Sequence, residues 1–290
     1  MRSELPLLTV GIPTYNSAHF LPDALASIMR QGLDDFEVVI VDNASEDDTE
    51  QVVRSFANDR IRYFRNTTNL GSRENHNRCL QKARGRYFKF VCADDVLLDG
   101  LLSRQIAVLE SQLDVSLVSC DIIITDSELA NRKLFRFFPG TCSGSRVINA
   151  CLSGLSCYIG GPSNFMFRLS DSAGITLDTS YRYVSDLRFG LRLLERGNYV
   201  NIGEAGYLYR RHAASDTVAN CPEDIQMPEY FRLVDEFGWW NPLTCTQAVR
   251  RGGAQGKRAA RLNFQSSLRP DSLLKAISAL PDVWRMRSLR

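Results

Sequence analysis

The apolar positions of the first hundred residues fall into short unbroken runs separated by helical stripes. Residues 7–12, 36–41, 61–64 and 87–91 read as strands, and they show little polar alternation. Strands of that kind are covered on both faces. Between them, residues 19–31 place Phe20, Leu21, Ala24, Leu25 and Ile28 on one helical face. Ser45-Glu46-Asp47-Asp48 resembles a capping box, with Asp in place of Glu or Gln, opening a helix to Phe56. Residues 72–83 and 99–111 read as further helices, the former stopped by Gly85. The alternation predicts an α/β fold, a mostly parallel sheet with flanking helices. Ligands of such sheets bind beyond the carboxyl ends of the strands.

The pattern changes after residue 114. Residues 115–124 are strand-like, 140–144 turn-rich, and 158–163 form a loop entering a strand at 164–167. Leu187, Leu191 and Leu194 mark an amphipathic helix over 186–196, and 207–209 is a late strand. After Pro222 the chain reads as helical, interrupted at Arg251-Gly252-Gly253, with Pro281 breaking the last helix into two pieces.

Composition sets outer limits. The 290 residues are 44% hydrophobic and 23% charged, ordinary for a soluble globular protein with a full-sized core. No apolar stretch approaches the roughly 18 residues needed to span a bilayer. The apolar run near the N-terminus lacks a small-residue cleavage site and reads as the first strand, not a signal core. Eight cysteines without a CxxC pair point to free thiols in a reducing cytoplasm, and three histidines make a zinc site improbable. A net charge of +2 argues against a nucleic-acid partner. The charge is uneven, however. Residues 246–290 carry ten basic residues against Asp271 and Asp282, a net of +8, leaving about −6 on the rest. A basic tail on an acidic body suggests an anionic partner surface.

Three strand ends carry polar clusters on the same edge. Asp94 and Asp95 follow the fourth strand. Adjacent carboxylates repel unless a cation sits nearby, and a divalent ion could bridge them to phosphate oxygens. A helix N-cap before Val96 is the plainer alternative. Asp42 ends the second strand, where it could accept from a nucleobase or ribose, or close a turn on its own backbone. Ser45 reads as a helix cap. Arg73, Asn75, His76 and Asn77 open a helix and could reach phosphate or base, or form a solvated first turn. Asp186 reads equally as a cap, and His212 follows Tyr209-Arg210-Arg211.

Taken in order, these motifs resemble a family 2 glycosyltransferase of the GT-A fold. The matching residues are Val10-Gly11-Ile12-Pro13-Thr14-Tyr15-Asn16, Val39-Ile40-Val41-Asp42-Asn43-Ala44-Ser45, Asn69-Leu70-Gly71 and Asn75-His76-Asn77. They continue through Ala83-Arg84-Gly85-Arg86-Tyr87, Ala93-Asp94-Asp95, Ser185-Asp186 and Tyr209-Arg210-Arg211-His212. The resemblance implies a domain over residues 1–215, with a nucleotide-sugar half (1–112) and an acceptor half (113–215), and a basic helical extension over 216–290. It implies that Pro13, Tyr15, Asn16 and Asp42 cradle the base, with Arg73 and Asn77 as further donor contacts. Asp94 would meet the ribose or donor sugar. Asp95 would bind Mn²⁺ or Mg²⁺, with His212 as a further ligand. Asp186 would be the general base of an inverting displacement, and Gly160-Gly161-Pro162-Ser163 would wall donor from acceptor. Ala93 and Ser185 depart from the family pattern, which often carries acids there.

The activity so implied moves a sugar from a nucleotide-sugar, UDP-linked, to a glycan or lipid-linked glycan in surface polysaccharide synthesis. A catalytically silent nucleotide-sugar-binding protein is one alternative, favoured by Ala93 and Ser185. A nucleotidyltransferase is another, opposed by the absence of a Gly-rich basic loop after the first strand. In the tail, residues 271–280 are expected to pack on the body and 281–290 to meet an anionic membrane. The protein would then sit in the cytoplasm, peripheral on the inner face of the plasma membrane. Packing of the tail against a second subunit, in a homodimer, is the other arrangement open to it.

Overall fold

A computed structural model describes residues 5–215 and 223–288. The parallel core is β1 (Leu8–Thr14), β2 (Phe36–Asp42), β3 (Ile61–Arg65) and β4 (Tyr87–Phe90), in the order β3-β2-β1-β4. The sheet then becomes mixed. β4 pairs antiparallel with β9 (Met166–Arg168), which meets β6 (Val115–Thr125). Beyond β6 lie β10 (Asn198–Arg210), parallel to it, and the two-residue β5 (Val96–Leu97). β7 (Lys133–Phe135) borders β6 and β8 (Gly140–Cys142) borders β10. Helices α1 (Leu21–Met29), α2 (Thr49–Ser55), α3 (Ser72–Lys82), α4 (Leu101–Ser111), α5 (Gly144–Gly154) and α6 (Ser185–Leu194) flank the sheet. Four more follow: α7 (Glu223–Glu236), α8 (Pro242–Arg251), α9 (Gly253–Ser267) and α10 (Pro270–Ser288).

The period-2 alternation of β2 divides the core. Val38 and Ile40 face a cluster with Val10, Leu25 and Leu101, whereas Val39 and Val41 face one with Phe88, Phe165 and Leu187. Tyr230, Phe231, Leu233 and Val234 of α7 belong to the second cluster, as do Val283 and Met286 of α10. The C-terminal helices therefore share the core of the sheet.

Several expectations need correction. Ser45 caps no helix: its hydroxyl accepts from the Asn16 N–H at 2.9 Å, and Asp47 accepts from the Thr49 N–H at the start of α2. Asp94 and Asp95 open no helix either, because Val96 and Leu97 pair with β10 and α4 starts at Leu101. The turn-rich stretch at 140–144 contains β8 and leads into α5, which Ser143 caps by accepting from the Arg146 N–H. β10 is far longer than 207–209. Pro281 does not split α10. Its cost of about 3 kcal/mol is offset by Val283 and Met286, at about 1.5–3 kcal/mol each when buried, and by the Arg146–Asp282 pair at 2.6 Å. The expected split of the tail also fails, since Val283 and Met286 beyond Pro281 are buried while Leu274 and Ile277 before it are exposed. Cys221, Leu289 and Arg290 lie outside the described residues; the seven described cysteines are free thiols.

Candidate functional site

The carboxyl ends of β1, β2 and β4 open into a cleft of about 1350 Å³. That exceeds the roughly 300–1,000 Å³ of a single-ligand pocket, which suits two substrates side by side. Backbone geometry brings its walls together from distant parts of the chain.

The first wall joins the loops after β1 and β2. Asn16, with φ at 47°, accepts on its side chain from the Glu46 N–H at 2.8 Å, while Ala18 N–H donates to Asp47 at 3.0 Å. These ties leave Pro13, Tyr15 and Asn16 lining the cleft. Asn43 lines it as well, donating to Asn69 at 2.7 Å and accepting from the Leu70 N–H at 2.9 Å. Arg73, at the start of α3, also lines the cleft, and its guanidinium donates to the Arg182 carbonyl across to the segment before α6.

The floor is Cys92 to Asp95. Asp95 is 2% exposed and its Oδ1 has no hydrogen-bond partner. Burial, and then the neighbouring Asp94 charge, push its carboxyl well above the ordinary range; the Ser163 hydroxyl, the Arg210 N–H and the Lys89 ammonium oppose this. Asp94 Oδ2 lies 3.0 Å from His212 Nε2, and the His212 ring packs on Phe20 at 4.4 Å. Arg210, nearly buried, donates to the Asp94 carbonyl at 3.0 Å and to Asp23 at 2.8 Å. Cys92, Asp94 and Asp95 each present a donor atom within 4.8 Å of the others. His212 is outside that group, though it reaches it through Asp94.

The third wall is the 160–163 loop. Gly160, with φ at 89°, sits where a Cβ would strike Asn164 at 2.2 Å. Ser163 accepts the Cys92 N–H on its hydroxyl at 2.8 Å and the buried Lys89 ammonium on its carbonyl at 2.6 Å. Burial draws the Lys89 pKa down to about 8, against the pull of Cys120, Asp95 and Cys92. Asp186, in the first turn of α6, borders this loop, with its Oδ2 3.6 Å from where a Gly161 Cβ would stand. Its charge reaches Cys92, whose thiol is raised chiefly by burial, then by Asp95 and Asp94. Tyr183, Ser185 and Tyr230 complete this side.

The fold brings Pro13, Tyr15, Asn16, Arg73, Asp94, Asp95, Asp186 and His212, all singled out from the sequence, around one cleft. Two residues stand behind its wall. Asp42 is fully buried, its oxygens accepting from the Ser45 N–H at 2.8 Å and the Tyr63 hydroxyl. Asn77 is 6% exposed and clasps Leu177, donating to its carbonyl at 2.9 Å and accepting from its N–H at 2.8 Å. Three residues went unassigned: Asn43 beside Asp42, Arg210 beside His212, and Lys89. Only Lys89 carried a separate signal, a lone charge inside an apolar strand.

Residues 9–172 match the family described as glycosyl transferase family 2. An uncharacterized protein of Mycobacterium tuberculosis is 32% identical over 223 residues, 73% of this chain and 69% of that protein. The GalNAc(5)-diNAcBac-PP-undecaprenol beta-1,3-glucosyltransferase of Campylobacter jejuni is 39% identical over 102 residues, 34% of this chain but only 33% of that enzyme. The crystal structure of S. aureus TarS residues 1–349 with UDP-GlcNAc superposes with a TM-score of 0.64 at 17% identity, covering 96% of this chain and 81% of that one. This last likeness shows the fold, which is GT-A.

Proposed function

The chain belongs to glycosyl transferase family 2 and is a glycosyltransferase, and from that premise we propose that it inverts a UDP-sugar donor onto a hydroxyl of a lipid-linked glycan, using Mn²⁺ or Mg²⁺. The observation that carries this reading is Asp95, whose buried, unpartnered carboxylate oxygen borders the cleft beside Asp94. An orphaned buried oxygen next to a second carboxylate is costly without a cation and natural with one. The donor set of two carboxylates beside a thiol fits a divalent ion, with Asp95 as the principal ligand and Asp94 and Cys92 adjacent. When bound, such an ion supplies charge neutralisation on the departing nucleoside diphosphate.

The chain's own residues divide the remaining work. Pro13, Tyr15, Asn16 and Asn43 form the nucleoside wall, with Asp42 fixing the β2 loop from behind. Arg73 offers a cation toward the diphosphate. The His212 ring orients Asp94 toward the donor sugar. Asp186 takes the proton from the acceptor hydroxyl, which attacks the anomeric carbon from the face opposite the leaving group. The relative acting on an undecaprenol-linked substrate supports a lipid-linked acceptor, and hence a place at the membrane surface. Among the described residues no helix is long and apolar enough to cross a membrane.

A panel of nucleotide-sugars tests the reading by thermal unfolding with and without Mn²⁺. The correct donor at about 100 times its Kd adds roughly 2.7 kcal/mol. A donor that stabilises the protein equally in chelator, or equally in Asp95→Ala, overturns the metal assignment.

A further inference from the structure

α10 is apolar on two sides. Ala279, Val283 and Met286 face the body and are buried, and Asp282 among them is bound to Arg146. On another side Leu273, Ile277, Leu280 and Trp284 follow the i, i+4, i+7, i+11 spacing of a single stripe. They are 40%, 69%, 54% and 75% exposed. The stripe runs over twelve residues, about 16 Å of helix from first to last. Four large apolar side chains in one exposed line are more than the scattered apolar residues of an ordinary surface.

The surroundings are basic. Residues 253–288 carry seven Lys or Arg against Asp271 and Asp282, a net of +5 (7 − 2). Asp282 is neutralised by Arg146 and contributes nothing outward. Arg269 precedes the stripe and Arg285 follows Trp284, both exposed, and α9 adds exposed Lys257, Arg258 and Arg261. An apolar row with a Trp at its end and cations around it matches the interfacial zone of an anionic bilayer. It fits a second copy of the chain poorly, because a stable interface takes about 20–30 residues a side and this row offers only a few.

We propose that the outer stripe of α10, from Leu273 to Trp284, docks the enzyme on an anionic phospholipid surface. α10 rests on α5, and the chain leaves α5 directly into residues 157–163 of the acceptor wall. Docking there would hold the enzyme at the surface that carries a lipid-linked acceptor. That purpose rests on the acceptor proposed above; the docking itself does not.

The test is cosedimentation of the full chain with vesicles of phosphatidylcholine alone or with about 30 mol% phosphatidylglycerol. The expected result is binding to the anionic vesicles, weakened by salt, with a blue shift in Trp emission that Trp284→Phe removes. The double variant Ile277→Asp, Leu280→Asp should partition roughly tenfold less while keeping its melting temperature and its nucleotide-sugar stabilisation. Wild-type protein that ignores both vesicle types overturns the proposal, as does a double variant that binds like wild type. A wild-type dimer in light scattering that the double variant dissolves also overturns it, in favour of a second copy. Vesicle binding without transfer to any lipid-linked acceptor would sink the acceptor reading and leave docking standing.

Discussion

At the scale of single residues, the acid pair is the element under most tension. Asp95 is buried beside Asp94 with one oxygen unpartnered. Asp95→Asn relieves that repulsion, so the metal-free protein should melt a few degrees higher in calorimetry. The same change should cost about a hundredfold or more in transfer and remove the Mn²⁺-dependent stabilisation by donor. Asp186→Asn keeps the bond from the Leu187 N–H and should leave melting and donor binding alone. Its turnover should fall by about 10²–10⁴, and unreduced kcat would remove Asp186 from the base role. The acids were legible because carboxylates ending apolar strands have no packing reason to be there. Asp42 and Asn77 were less so. Their partners, Tyr63 and Leu177, stand 21 and 100 residues away, and no local pattern reports such a bond.

Among the elements, the joint between α6 and α7 is electrostatic. Arg188 and Arg192 both bond Glu236, as does the Tyr181 hydroxyl. Burial alone would raise the Glu236 pKa, but the arginines outweigh it and bring it to about 2, from an ordinary 4.5. A lowered carboxylate pKa means stability fully present above about pH 4.5 and lost as pH falls toward 2. Glu236→Gln should therefore lower the melting temperature at neutral pH and flatten its decline between those values. α5 and α10 are joined by Arg146 and the buried Asp282. Arg146 is half exposed, which screens the pair, so Arg146→Ala should cost about 2 kcal/mol in urea unfolding, mostly from the stranded carboxylate. The parallel strands were readable because continuous apolar runs have one structural use. β7 and β8 were not: three-residue strands leave too few positions for a period, and their pairing is decided by β6 and β10.

The whole molecule depends on its C-terminal helices more than a division at residue 215 implies. Tyr230, Phe231, Leu233 and Val234 fill the cluster that contains Leu155 and Leu187. At about 1.5–3 kcal/mol each they contribute as much as a typical protein's net stability, so a chain ending at Ser215 should fail to fold, as circular dichroism and solubility would report. The sequence by itself determined the α/β order, the sheet edge where the cleft opens and the acids standing there, because these follow from periodicity and from the cost of burying charge. Only the tertiary structure decided which polar side chains face the cleft and which brace it from behind. It also decided that α10 runs through Pro281 with one apolar stripe covered and one open. Those outcomes depend on contacts between segments far apart in the chain, and their energies outweigh the local preferences a sequence can express.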